Sequence, residues 1–389
     1  WVGSARVAAL GSTTISTNAI ADSGGSVNQS ALSGRRARAL FASALLVIAI
    51  VVVLFLRSEK SSGPSATEHS TKSEVRTVRV LAYSSFLSTW GPGPTLKRMF
   101  EHDRGISHPQ EKVSIEFLQA EDAGLLLAKL KVFPSDLVIG FDQFTRAQAE
   151  TARRWKAHGM TSGLKFSDDT FFAFDWAPLG FAYRTGELEP PTSLDDLLSE
   201  RFRGQFALQD PRSSSPGYQF LAWVVAEKGE VGARDFLLRL KPNIQSVSGS
   251  WSQSYGMFTR GLAKLVLSYA TSPLYHRYTE KDERYRFAPF ATGHPAQVEY
   301  AAIPEDCKEC ELAQEFARFL LSPPAQQVLM NKNWMLPINS LAAEGTAFGE
   351  IMDAIGDGPS HSLKIRDPIF PEGSAARDTV LKLWEDVKF

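Results

Sequence analysis

The chain has 389 residues, 43% of them apolar and 22% charged, with 28 Gly, 21 Pro and only 2 Cys. That composition belongs to a folded globular protein of two or three domains and excludes collagen-like, disulfide-scaffold and wholly disordered chains. Lys plus Arg number 42 against 43 Asp plus Glu, a formal net charge of −1. The basic surplus that displaces counterions is missing, and no nucleic-acid partner is expected.

Residues 1–38, rich in Ser, Ala, Gly and Thr and without apolar periodicity, read as a disordered tail. Residues 39–56, ALFASALLVIAIVVVLFL, are 18 positions without a charge. As a helix they reach about 27 Å, enough to cross most of a bilayer's hydrocarbon core. Arg35, Arg36 and Arg38 precede the segment and place the carboxyl-terminal bulk outside. The expectation is one transmembrane helix, an anchor or uncleaved signal. A cleaved signal peptide is its rival, though such peptides have shorter apolar regions. Residues 57–75 follow as a polar linker.

From about residue 76 the chain alternates strand and helix signals. Val78, Val80 and Ala82 predict a strand ending at Tyr83, and the turn 91–94 (GPGP) opens a helix with Leu96, Met99 and Phe100 on one face. Val113, Ile115 and Phe117 predict a second strand, 125–130 a short helix, 136–140 a buried strand and 143–155 a helix. Further on come a strand at 179–184, a helix capped by Ser193, a strand at 206–208 and a helix from Pro216. A strand at 265–269 and an amphipathic helix at 311–321 close the series. This order predicts an α/β fold with a mostly parallel sheet, divided into two lobes with a crevice between them.

Motifs for several chemistries are absent: no G-x-S-x-G, H-E-x-x-H, Walker lysine loop or strand-following G-x-G-x-x-G occurs. The 7 His, among them His102, His108, His158, His276 and His294, lack metal-ligand spacing and read as scattered surface residues. Cys307 and Cys310 form C-x-x-C in a charged loop, which reads as a local disulfide rather than a redox pair.

The positive signal is aromatic. Tyr83 and Tyr269 end strands; Trp90, Tyr275 and Trp334 sit in loops; Trp251 and Tyr255 are four apart on one helix face. Crevices of α/β sheets lie outside strand ends. Aromatics gathered there with few acids suit a flat, cationic organic molecule. Asp142 either pairs with a ligand cation or caps the helix from Gln143, and Ser214 opens a helix whose N-terminus suits a phosphate.

Several runs carry a specific resemblance: YSSF at 83–86 with WGPGP at 90–94, DDTF at 168–171 with FD at 174–175, and QDPR at 209–212 through PG at 216–217. They continue with WS at 251–252 and YG at 255–256, LVLSY at 265–269 with TSP at 271–273 and YH at 275–276, GH at 293–294 with QVE at 297–299, and NWM at 333–335 with Pro337. With these the sequence resembles the periplasmic thiamine-binding proteins of bacterial ABC importers, over nearly all of residues 78–389. The resemblance implies an α/β, two-lobed type II periplasmic-binding-protein fold with a cleft. Residues 76–175 and 294–389 are expected in one lobe and 176–293 in the other.

It further implies an extracytoplasmic, non-enzymatic receptor. The ligand would be thiamine or its mono- and diphosphate, and the partners the permease and ATPase subunits of an ABC transporter. No cofactor is expected beyond the transported ligand, and no metal. Tyr83, Trp90, Asp142, Ser214, Trp251, Tyr269, Tyr275 and Trp334 are the ligand-binding positions implied. The aromatic faces would stack on the ligand, Asp142 would supply negative charge, and Ser214 with Trp251 and Tyr269 would hold a phosphate. Ser84 stands where the family usually carries Asp. Two alternatives stay open: a thiamine-degrading transferase on the same fold, which needs an activated Cys, and a receptor for another small cation such as a polyamine or ferric ion.

Overall fold

The structure, a computed structural model, describes residues 74–160, 164–356, 361–366 and 374–389. The expected tail, the anchor at 39–56 and nearly all of the linker lie outside the described residues. Among the described residues no helix is long and apolar enough to cross a membrane.

Alternating apolar residues build the first layer. In β1 (Val75–Tyr83) Val78 and Val80 face inward two residues apart, and positions 81–83 are buried on both faces. β1 pairs in parallel with β2 (Lys112–Ala120) and β3 (Leu137–Phe141). A short β4 (Trp155–Lys156) precedes the long β5 (Phe171–Arg184). A second layer holds β6 (Phe206–Gln209), parallel to β7 (Ile244–Ser248) and β8 (Leu265–Tyr269). Then come β9 (Tyr285–Ala288), β10 (His294–Pro304), β11 (Leu336–Pro337) and β12 (Ile365–Arg366). Along the sheet the order is β2-β1-β3-β10-β5-β8-β6-β7.

The sheet is mixed, not mostly parallel as its sequence predicted. β10 runs antiparallel to β3 and β5, and β5 antiparallel to β8 and β9. Helical crossovers return each outer set in one direction, whereas β5 and β10 carry the chain out of the first set and back again. The hydrophobic core changes within β5. Phe171 to Phe174 and Trp176 pack in a first core with β1, β3, β10 and the helices Cys310–Leu320 and Pro323–Asn333. Ala177, Leu179 and Phe181 pack in a second with β8 and the helix Ser215–Leu240. The helix Ser374–Val387 sends Trp384 and Val387 into that second core, although its position in the chain follows the first.

Buried polar side chains fasten the junction. Gln143, opening the helix Gln143–Ala152, and Gln219 of the helix Ser215–Leu240 both donate to the Ala296 carbonyl of β10, at 2.8 and 2.9 Å. His294 donates from Nδ1 to the Leu179 carbonyl of β5 (2.9 Å) and accepts from the Phe290 amide at Nε2 (2.8 Å). That pairing fixes the neutral tautomer, and burial lowers the imidazole to about 4. His158, His276 and His294 are all buried, so the expected scatter of surface histidines does not hold for these three. His158 and His294 were invisible to spacing because their partners are backbone groups, and His276 because its buried partner Tyr255 lies 21 residues away.

Cys307 and Cys310 form the expected disulfide. The loop they close is also held by Asp136, which accepts from the amides of Lys308 (2.6 Å), Glu309 (3.0 Å) and Arg79 (2.8 Å). A four-residue disulfide loop removes little chain entropy, roughly 2 kcal/mol. Losing Asp136 leaves three amides unsatisfied, at about 1 kcal/mol or more each. The double substitution Cys307→Ser with Cys310→Ser is therefore expected to destabilise the protein less than Asp136→Ala alone, as read by urea denaturation midpoints.

Candidate functional site

Strand ends and helix starts from both cores converge at the junction. Tyr83 closes β1, and its ring lies against Gly140 of β3, where a Cβ would sit 2.2 Å from the phenyl edge. Gly140, at φ +107, is thus required both by its conformation and by that contact. Tyr83 donates its hydroxyl to Glu299 Oε2 on β10 at 2.6 Å. Asn333, last residue of its helix, donates from Nδ2 to the Tyr83 hydroxyl (3.0 Å) and to Asp175 Oδ2 on β5 (2.8 Å). Trp334 follows in a left-handed conformation (φ 57), ending the helix and turning its indole against the ring of Tyr275, 5.4 Å away, edge to face.

From the other side, Trp251 opens the helix Trp251–Thr259, stacks on Tyr255 at 4.7 Å and lies 6.4 Å from the Tyr269 ring. Its indole N–H donates to Ser268 Oγ at 3.0 Å. The stack is backed by His276, whose Nε2 is 2.9 Å from the Tyr255 hydroxyl and whose Nδ1 is 2.6 Å from Glu280. One π-helical turn, His276–Glu280, brings this His and Glu together directly after Tyr275.

Asp142 makes the helix cap that was one of its two sequence readings. Oδ1 caps the helix Gln143–Ala152, accepting from the amides of Phe144 (2.9 Å) and Thr145 (2.6 Å), while Oδ2 is buried with no partner among the described residues. Ser214 occupies the N-cap position of the helix Ser215–Leu240 without making the cap bond; its Oγ and that of Ser215 are buried and unpartnered among the described residues. Trp90 stands apart, 44% exposed in the turn before the helix Gly93–Ser107. Ser84 turns its hydroxyl to the Glu121 carbonyl at 2.6 Å.

Four carboxyl groups complete the site, and three were missed as site residues. The sequence predicted few acids; the structure gathers Asp122, Asp142, Asp175 and Glu299. Asp175 and Glu299 lie directly opposite each other on β5 and β10, 0% and 9% exposed. The register shifts immediately after Glu299, a bulge of the kind that re-aims side chains next to functional sites. Burial and the Glu299 charge push Asp175 well up, while burial and the Asp142 charge push Glu299 to about 7 against the hydrogen bonds that favour its ionised form. Asp122, following β2, is raised to about 7 by burial, against the amides of Ala123 and Trp251 that favour its charged form. Burial, and then the same carboxylates, also push Tyr83 and Tyr269 well above 10. The missed acids sit in strands or turns whose local sequence gives no motif; only their presence in the runs FD and QVE marked them.

The two cores touch here at close range. Asp122 accepts from the Trp251 amide, and Gly124 packs so near Ser213 that a Cβ would meet its carbonyl oxygen at 2.4 Å. Aromatic rings and buried acids from both cores thus gather where β5 and β10 join them, an arrangement suited to a small organic ligand.

The chain belongs to the bacterial extracellular solute-binding proteins, whose family model matches residues 130–347. Its relatives include the thiamine-binding periplasmic protein of Salmonella typhimurium, 34% identical over 275 residues, 68% of this chain and 82% of the relative. That of Haemophilus influenzae is 36% identical over 274 residues, 68% and 80%. Among solved structures a periplasmic thiamin binding protein superposes with a TM-score of 0.68 at 30% identity, over 84% of this chain and 99% of the other. The fold is accordingly the two-lobed one of periplasmic binding proteins.

The raised Glu299 has a consequence for stability. Its pKa rises on folding from 4.5 to about 7, so between those values the folded state binds more protons than the unfolded one and stability falls as pH rises. The ligand-free Asp175→Asn variant, which removes the second raised acid of the pair, is expected to lose less Tm than the parent between pH 5 and pH 7.5, followed by circular dichroism.

Proposed function

We propose that this protein is an extracytoplasmic receptor for thiamine that closes its two lobes around the vitamin and delivers it to an ABC transporter. The observation that carries the reading is the joining of aromatic rings from both halves to an excess of buried carboxyl groups. Thiamine offers two flat rings, one with a fixed positive charge, and such a ligand gains from ring faces and from counter-charge. Relatives at 34 and 36% identity that are named for thiamine support it. Tyr83, Asp142, Trp251, Tyr269, Tyr275 and Trp334 are the residues assigned to the ligand, with Trp90 closing over it. The unpartnered hydroxyl of Ser214, at the start of a long helix, is assigned to the phosphate of thiamine mono- or diphosphate. The lobes are taken as 76–175 with 294–389, and 176–293, except that the helix Ser374–Val387 packs on the second. Closure is a hinge motion of β5 and β10.

A transferase needs a thiolate nucleophile. The chain's two cysteines are bonded to each other, which favours binding over thiolate chemistry. The acid cluster equally suits a polyamine, so putrescine and spermidine are the competitors to include. Calorimetric titration of the purified chain is expected to give a thiamine Kd of micromolar or below, about −8 kcal/mol or better, undisturbed by excess spermidine. No heat and no change in Trp fluorescence would reject the reading.

Trp334→Ala is expected to weaken binding about tenfold, the worth of one ring contact to a cation. Asp142→Asn retains a good cap while removing charge, and weakens binding without lowering Tm. Gly124→Ala, which places a methyl against the Ser213 carbonyl, raises Kd by opposing closure. Equal Kd values for all three variants and the parent would misplace the site.

Residues 39–56 are assigned to a membrane anchor on their 18 uncharged positions and flanking arginines. The full chain is expected to stay with membranes after alkaline extraction, and a chain lacking 39–56 to be released.

A further inference from the structure

The Asp175–Glu299 pair has a property that an ordinary cation-binding acid lacks. Each residue comes from one of the two strands that join the lobes, and the antiparallel register sets them face to face. The hydrogen bonds they receive are neutral: the Tyr83 hydroxyl to Glu299 at 2.6 Å, and Asn333 Nδ2 to Asp175 at 2.8 Å with a longer approach to Glu299 at 3.5 Å. Asp175 Oδ1 is buried with no hydrogen-bond donor on it among the described residues. The ionisable groups facing the pair are Tyr83 on β1, Asp122 after β2, Asp142 after β3 and Tyr269 at the end of β8. Among the described residues neither acid forms an ion pair with Lys, Arg or His, and every charged form around them is negative.

Two carboxylates in contact, shielded from water and without a cation, do not both ionise near neutrality; they keep one proton between them. We propose that Asp175 and Glu299 share a single proton while the cleft is empty and lose it to solvent when an organic cation closes into the site. Ligand uptake is then coupled to release of one proton. The charge balance follows directly. The empty pair carries −1; with the proton gone it carries −2, and the fixed +1 of the ligand returns the site to −1. Closure also expels water, which strengthens the attraction and holds the pair ionised. A neutral ligand of the same shape provides no such compensation and leaves the proton in place. This inference rests on the receptor reading above and adds to it how the ligand's charge is recognised.

The full chain is titrated calorimetrically with thiamine in two buffers of different ionisation enthalpy at pH 7. The expected result is release of about half a proton at pH 7, rising toward one at pH 6, and a Kd about tenfold weaker at pH 6 than at pH 8, as follows from Glu299 being raised to about 7. A thiamine analogue with an uncharged thiophene in place of the charged ring is expected to bind with no proton exchange. Glu299→Gln and Asp175→Asn are each expected to abolish release in thiamine binding, whereas Asp122→Asn, which removes the other acid titrating near 7, leaves it in place whatever happens to affinity. Should neither pair variant fold, difference infrared spectra of the parent and of Asp122→Asn must both show loss of one protonated-carboxyl band on binding. Thiamine binding with no proton exchange, release that persists in a pair variant, or the absence of that band change overturns the inference and leaves the receptor reading standing. Failure of thiamine to bind at all rejects the receptor reading instead.

Discussion

The antiparallel pairing of β5 with β10 is the constraint on which the other features depend. Seven residues of β10, Ala296 to Ala302, align with β5, and the two strands share the first core before β5 turns to β8 and β9. Sheet hydrogen bonds resist shear along the strands but permit twist about them, so this pair can join two bodies and still let them close. Its side fastenings are polar. Gln143 and Gln219, brought by helices from different cores, converge on one carbonyl, and His294 ties the beginning of β10 to Leu179. Hydrogen bonds of this kind define a pivot more sharply than apolar contact, because they depend on direction as well as distance.

The same pairing sets the electrostatics. A register that opposes Asp175 to Glu299 is unfavourable in a strand pair taken alone, where like charges face each other. It persists because Tyr83 and Asn333 supply donors and a shared proton lowers the charge. Asn333 also ends a helix at the point where Trp334 turns left-handed, so the polar floor and the aromatic wall derive from consecutive residues. On the far side the order reverses: Trp251 faces the site, and Tyr255, His276 and Glu280 stand behind it as a hydrogen-bonded support.

Much of this was legible from sequence, for identifiable reasons. β8, with its apolar run LVLSY, lies where its pattern put it, and β1 and β6 were placed to within a few residues. The helix at 311–321 follows its 3.6-residue spacing closely, burying Leu312, Phe316 and Leu320. β10 was not predicted as a strand. Its sequence HPAQVEYAAIP is buried throughout yet carries His, Gln and Glu inside, which violates both the alternating and the continuous apolar pattern. The first half of β5 was missed for the same reason, with Asp175 amid Phe and Trp. These are the segments where binding and hinge motion outrank regular packing, and local rules are expected to fail there. The pairing of distant acids lies in the register of two strands more than a hundred residues apart, which no local motif encodes.

Stability and function therefore draw on different parts of the chain. Asp136 shows what a buried carboxylate does when its oxygens are satisfied: three backbone amides converge on it and hold a loop, a strand and a helix start together. Asp175, Asp142 and Ser214 are buried as deeply, yet each keeps an oxygen without a partner among the described residues. An unsatisfied buried polar atom costs about 1–3 kcal/mol, and the described residues hold several of them. Ordinary folding pressure would replace them with apolar residues. For the two acids, which gather with Asp122 and Glu299, the partner proposed is the cation of the ligand.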